Sequence, residues 1–172
     1  VVSSKAIIKK VFESAKNLGG NLSEYTVWLL ERSIKTLFIR VQAQNNNAMI
    51  LSNFLQEQDW VKKVYYPGLE NHEGHNTAKK QMSGFGGMLS FNLVLGLDTK
   101  NFLMGLEMIK PTMSLAGVES TALSPRLTSH ALLSEEERQA QGINEQMVRF
   151  SSGIEGVEDI KNDILQSISK IS

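Results

Sequence analysis

The sequence predicts an α+β fold, an antiparallel or mixed sheet covered by helices on one face. Three observations carry this. Met88 to Leu93 alternates Leu89, Phe91 and Leu93 with Met88, Ser90 and Asn92, the period of a strand with one buried face. Val157 to Ile171 places Val157, Ile160, Ile164, Ile168 and Ile171 at steps of three and four, one stripe of a helix. Strand-like and helix-like segments alternate along the chain, and such helices need a sheet face to cover.

Taken in order, Lys5 to Leu18 has helical spacing through Ile7, Val11 and Ala15 and stops at Gly19-Gly20. Ser23 is a hydroxyl cap for the next helix, with Glu24 in its first turn, where the helix dipole favours a carboxylate. Leu30, Ile34, Leu37, Val41, Ala48, Leu51 and Leu55 form an apolar seam that predicts one long helix, interrupted only by Gln44. Asn45-Asn46-Asn47 is a weak helix-forming patch, the expected kink and the expected domain boundary. Val61 to Tyr66 predicts a strand closed by Pro67-Gly68. A short helix is expected around Thr77 to Met82, a turn at Gly84-Phe85-Gly86-Gly87 and a helix from Thr99 to Ile109, ended by Lys110-Pro111. Ser114 to Leu123 is expected to be mostly extended. Ser134 with Glu137 predicts a capping box that opens a helix ending near Gly142, and Met147 to Ser151 predicts a strand.

The 172 residues are 41% hydrophobic and 7% aromatic, enough for a packed core and against a disordered chain. The 18 basic and 18 acidic residues cancel, which points away from nucleic acid or an anionic membrane as the main partner. No apolar run approaches the roughly 20 residues of a membrane-spanning helix, and no secretory signal is visible. Cysteine is absent, which excludes disulfides, thiolate catalysis and cysteine zinc sites; a cytoplasmic protein is the expectation. Val1-Val2-Ser3-Ser4-Lys5 resembles the end of a strand, so the chain is expected to begin inside a longer protein.

Arg149 is the candidate with the most chemistry. In the strand Met147–Ser151, Val148 and Phe150 point one way and Arg149 the other, beside Ser151. If the helices cover the Val148 and Phe150 face, Arg149 stands on the open one. A planar guanidinium there can hold a carboxylate with two parallel hydrogen bonds. The alternation alone equally accommodates an ordinary arginine on a solvated face, which is the commoner outcome. The glycine-rich turn precedes a strand and opens no helix, so phosphate-binding geometry is missing. His72 and His75 form a pair in a loop with no third ligand assured, weak evidence for a metal. His130 follows Ser129 and could orient its hydroxyl, Ser114 has no adjacent base, and Trp28 and Trp60 are expected to pack.

Six segments in order resemble one known family. They are Trp28-Leu29-Leu30-Glu31-Arg32-Ser33-Ile34-Lys35-Thr36-Leu37 with Arg40; Val64-Tyr65-Tyr66-Pro67-Gly68-Leu69; Gln81 to Phe91; Ser114-Leu115-Ala116-Gly117-Val118-Glu119-Ser120; Glu136-Glu137-Arg138 with Gly142-Ile143; and Val148-Arg149-Phe150-Ser151-Ser152-Gly153-Ile154-Glu155. The family is the Cys/Met-metabolism, or trans-sulfuration, group of pyridoxal-phosphate enzymes, similar to cystathionine γ-synthase and cystathionine β- or γ-lyase. The resemblance runs from about Trp28 to the end.

The resemblance implies the C-terminal domain of a fold-type I enzyme, like aspartate aminotransferase. Residues 1–44 would be the tail of the large cofactor domain with a linking helix, and 45–172 the small C-terminal domain. It makes Arg149 the arginine that binds the substrate α-carboxylate and Ser114 a serine beside cofactor and substrate. Ser129 falls where relatives often carry a threonine near that carboxylate. The implied cofactor is pyridoxal 5'-phosphate, but the Schiff-base lysine lies before the region this chain covers, and no lysine here takes that role. The expected substrates are cystathionine, acylated homoserine, methionine or cysteine, and the expected assembly of the full-length enzyme is a homotetramer. Cystathionine cleavage or synthesis is the favoured activity, with methionine γ-lyase, O-acylhomoserine sulfhydrylase and a non-catalytic interaction domain as alternatives. Met113 stands where some relatives carry glutamate, and Ala116 replaces the usual glycine. This chain alone is expected to be inactive.

Overall fold

A computed structural model describes residues 2–171. The chain divides into two compact units with the boundary between Phe38 and Ile39.

The first unit holds α1 (Lys5–Leu18) and α2 (Glu24–Ile34). Gly19 ends α1 at φ 70°, in the left-handed region open to glycine, and the Ser23 side chain accepts from the Thr26 amide to cap α2. Neither helix has a buried residue, and Phe12, Tyr25 and Trp28 are more than half exposed. Trp28 is therefore not a core residue; it stacks on Tyr25 at 6.0 Å, and the Arg32 guanidinium lies 5.7 Å from its ring centre.

The expected long helix is two. Turn residues Lys35 and Thr36 separate α2 from α3 (Leu37–Gln56), while α3 runs unbroken through Asn45, Asn46 and Asn47. Of the three, Asn47 has tertiary partners that offset its weak propensity: its Nδ2 donates to the carbonyls of Gly153 at 3.1 Å and Glu155 at 2.9 Å. That compensation overrides a weak intrinsic propensity.

The second unit, from Ile39, contains a five-stranded sheet in the order β1-β2-β5-β4-β3. The strands are β1 (Val61–Tyr65), β2 (Met88–Leu93), β3 (Lys110–Pro111), β4 (Thr121–Leu123) and β5 (Met147–Ser151). All pairs are antiparallel except β3 with β4, so the sheet is mixed. The remaining helices are α4 (His75–Gln81), α5 (Thr99–Gly105), α6 (Glu135–Ala140) and α7 (Val157–Ser169). The α6 capping box forms as expected, with Ser134 and Glu137 each accepting from the other's amide.

One sheet face carries Val64, Leu89, Phe91, Ala122, Val148 and Phe150, packed with Ala48, Leu51 and Leu55 of α3, Phe102 and Leu103 of α5, and Ile160, Ile164 and Ile168 of α7. Val61 and Val64 both reach this core although three apart, because the pairing of β1 with β2 shifts between Val61 and Lys63. One bulged residue reverses the alternation, and the periodicity alone does not predict it. Trp60 packs against the core, as expected of it.

The expected helix from Thr99 to Ile109 stops at Gly105. Leu106 turns extended at ψ 135°, and the amides of Glu107, Met108 and Ile109 go to the Asp163 carboxylate of α7 at 2.8, 3.0 and 2.7 Å. A side chain 54 residues away thus supplies what further helix would have supplied. Lys110-Pro111, expected only as a helix stop, forms the outer strand β3, where a missing amide costs no ladder bond. Of Ser114 to Leu123, only Thr121–Leu123 is a strand; the rest is a bent loop.

Candidate functional site

The sheet face opposite the core places Arg149 in the open. Val148 is 0% and Phe150 2% exposed, whereas Arg149 between them is only half-buried. Its cross-strand neighbours are Ser90 on β2 and Leu123 on β4. Arg149 Nη2 donates to the Met113 carbonyl at 3.4 Å, a long contact that places the loop before β4 beside the guanidinium. Both Met113 and Ser114 are exposed.

That loop is tied down on several sides. Thr121 Oγ1 donates to the Ser114 carbonyl at 2.8 Å, and the Ala116 amide donates to Ser151 Oγ at 2.9 Å. Gln44 Nε2 donates to the Gly117 carbonyl at 2.6 Å, and the Ile154 amide to the Val118 carbonyl at 2.9 Å. Glu155 accepts from the Ser120 amide at 2.5 Å and from Ser120 Oγ at 3.0 Å, and Ser120 Oγ accepts from the Gly153 amide at 2.9 Å. Ala116 is the one non-glycine residue at positive φ among those described, at 59°. Its place in the glycine position of the resembling motif therefore carries backbone strain.

Ser129 is exposed, and its hydroxyl lies 2.8 Å from His130 Nδ1. The segment holding it leaves β4 through Pro125 and is pinned by Arg138, which donates to the carbonyls of Leu133 and, at 3.4 Å, His130. Ser114 is thus brought to Arg149 through its loop, while the hydroxyl of Ser129 is engaged by its own neighbour. The loop histidines have backbone partners at Nδ1: His72 accepts from the Gly74 amide at 3.0 Å, and His75 lies 2.9 Å from the Pro67 carbonyl and stacks on Phe85. Tyr66 is fully buried below the glycine-rich turn, donates to the Gly86 carbonyl at 2.9 Å, and burial pushes its phenol up to about 12.

Sequence reasoning assigned no role to Gln44, Thr121, Ser151 and Glu155 in building this loop. Only Gln44 left a signal, as the one polar interruption of an apolar helix seam. The partners of the others are set by strand register and by contacts distant in sequence, such as Glu155 with Ser120 across 35 positions.

The arrangement can do one thing with its own side chains: grip an anionic, planar group with Arg149 over a rigid loop. A lysine to anchor a carbonyl cofactor is not placed there. Among the described residues the strand lysines of this face, Lys63 on β1 and Lys110 on β3, each stand two strands away from β5, and Lys63 lies 4.7 Å from the Tyr65 ring centre. At about 4.8 Å per strand that is roughly 10 Å from the Arg149 strand. Among the described residues, Arg149 is available to an anionic group, and no lysine stands on β5 or on its neighbours β2 and β4 to anchor such a cofactor.

Comparison with known proteins identifies the chain's relatives. The chain is 39% identical over 168 residues to a cystathionine beta-lyase of Lactococcus lactis subsp. cremoris, covering 98% of this chain and 44% of that protein. It is 38% identical over 171 residues to a cystathionine gamma-lyase of Bacillus subtilis, covering 99% of this chain and 45% of that protein. A crystal structure of cystathionine gamma-lyase from Lactobacillus plantarum complexed with L-serine superimposes with a TM-score of 0.93 at 33% identity, over 99% of this chain and 45% of the other. The chain thus spans less than half the length of these relatives. The family model described as Cys/Met metabolism PLP-dependent enzyme matches residues 1–169, and the chain belongs to that pyridoxal-phosphate-dependent family.

Proposed function

We propose that this chain is the C-terminal part of a pyridoxal-phosphate enzyme that cleaves or makes cystathionine, and that Arg149 grips the substrate α-carboxylate. The observation that carries the reading is the half-exposed guanidinium on the sheet face opposite the core, touching the Met113 carbonyl beside Ser114. The names of the relatives, cystathionine lyases, and the L-serine complex of a structural neighbour support an amino-acid substrate.

Pyridoxal phosphate, held elsewhere in the parent protein, supplies the electron sink for carbon–sulfur chemistry. This chain's residues bind and orient. Arg149 accepts the carboxylate with two donors of its planar fork. Ser114, on a loop tied to β4, β5 and α3, places a hydroxyl by the bound amino acid, and Ser129 takes part only by exchanging its His130 partner for the carboxylate. Residues 1–44 are the tail of the large domain with the linking helix, and 45–172 are the small domain. The largely exposed apolar side chains of α1 and α2, none of them buried, accord with a segment that packs against the remainder of a larger protein.

The test replaces Arg149 with Ala and with Lys in the full-length protein loaded with pyridoxal phosphate. Loss of a charge-assisted pair worth roughly 1.5–3 kcal/mol raises KM for cystathionine about 10- to 150-fold. Lysine does not restore it, because an ammonium lacks the fork. An unchanged KM in Arg149→Ala would refute the role. Product analysis with cystathionine, methionine and acylated homoserine separates lyase from methionine γ-lyase and sulfhydrylase activity.

A further inference from the structure

Thr121 and Ser151 face each other across β4 and β5, in register, and are 6% and 3% exposed. Their side chains lie on the Arg149 face, since Ser151 is two residues along the same strand and Leu123, two after Thr121, is the partner of Arg149. Each hydroxyl takes one end of the same tripeptide. Thr121 Oγ1 donates to the Ser114 carbonyl at 2.8 Å, and Ser151 Oγ accepts from the Ala116 amide at 2.9 Å. Between them runs Ser114-Leu115-Ala116, ending in the strained φ of 59° at Ala116.

We propose that this cross-strand hydroxyl pair is a positioning clamp that sets Ser114 and the Met113 carbonyl relative to Arg149, and so determines how well the site takes an amino-acid carboxylate. The inference rests on the carboxylate reading of Arg149. Neither hydroxyl touches the substrate in this scheme; both act through the loop. A left-handed alanine relaxes towards commoner backbone angles when its neighbours are released. Losing either anchor therefore lets Ser114 and the Met113 carbonyl drift from the guanidinium. The two bonds have opposite polarity, one hydroxyl donating and the other accepting, so the tripeptide is gripped in one orientation. The strands supply the rigidity: β5 lies between β2 and β4 and is hydrogen-bonded on both edges.

The experiment uses the full-length protein with pyridoxal phosphate bound, carrying Thr121→Val, Thr121→Ser, Ser151→Ala or Arg149→Ala. Two readouts are taken: KM and kcat on cystathionine, and hydrogen exchange of the peptide spanning Met113 to Val118. Thr121→Val and Ser151→Ala are each expected to raise KM about threefold to tenfold, the worth of one hydrogen bond, with kcat changing less and exchange at Ala116 accelerated. Thr121→Ser keeps the hydroxyl and restores both readouts. The clamp is overturned if Thr121→Val matches the parent in KM and exchange, or if Thr121→Ser is as impaired as Thr121→Val, which would make the effect one of packing. Ser151→Ala tests the other end should Thr121→Val fail to fold. If Arg149→Ala raises KM while both clamp variants leave it alone, only the clamp falls; if Arg149→Ala itself leaves KM unchanged, the carboxylate reading falls.

Discussion

Replacing Asp163 with Asn should unfold the second unit far more easily, because this carboxylate stands in for a missing stretch of helix. Asp163 is 6% exposed on α7. Its Oδ1 accepts from the Glu107 amide at 2.8 Å and Gln166 Nε2 at 2.9 Å, and its Oδ2 from the Met108 and Ile109 amides at 3.0 and 2.7 Å. Asparagine keeps one acceptor oxygen and puts an NH2 where the other was, so at least one pair of donors loses its partner. At about 1–3 kcal/mol per buried orphan donor, and with Glu107 exposed enough to find water, the loss is about 2–4 kcal/mol. The assay is urea unfolding in a Trp28→Phe background, where only Trp60, packed on the core, reports. A loss below about 1 kcal/mol would refute the reasoning, since it would mean the turn holds itself. Acidity gives a second check with a definite sign. Burial pushes this carboxyl up, but the amides of Ile109 and Glu107, the Gln166 side chain and the Met108 amide outweigh it, and the net pKa is lowered. A lowered folded pKa contributes stability that is present above the unfolded value, about 3.9, and lost as pH falls through the folded one. The gap between parent and Asp163→Asn should therefore narrow only in acid.

Ala116→Gly should stabilise the protein by about 0.5–1 kcal/mol, since relief of a left-handed alanine exceeds the extra entropy of an unfolded glycine; a denaturation midpoint that falls would contradict this. Gly153→Ala should cost about 2–3 kcal/mol, because a Cβ there would meet the Val118 carbonyl and the Glu119 backbone carbon at 2.6 Å, and the loop before β4 should show faster hydrogen exchange. Tyr66 should ionise near pH 12 in an absorbance titration. Its folded pKa is raised, so its contribution to stability is full below about 10 and lost as pH climbs from there towards 12. Tyr66→Phe should remove that late step and free the turn at Gly86.

The strands and most helices were legible because their cores are one-sided and local. Leu89, Phe91 and Leu93 on β2, Val148 and Phe150 on β5, and Ile160, Ile164 and Ile168 on α7 are buried as their spacing predicts. The same alternation places Arg149 away from the core. The misread elements were those whose hydrogen bonds are satisfied from a distance. The helix expected to reach Ile109 ends at Gly105 because Asp163 offers a better acceptor, and Asn47 of α3 is held in the helix with Gly153 and Glu155 accepting from its side chain.

The sequence by itself determined the α+β class and the outward face of Arg149, which follow from short-range period, and the family, which follows from the resemblance of six ordered motifs. Only the tertiary structure decided what surrounds that guanidinium. Thr121 meets Ser151 through strand pairing, and Gln44 meets Gly117 through the packing of α3. Those partners are chosen by register and by the satisfaction of buried backbone groups, which depend on the whole chain at once and leave no periodic trace in any one segment of it.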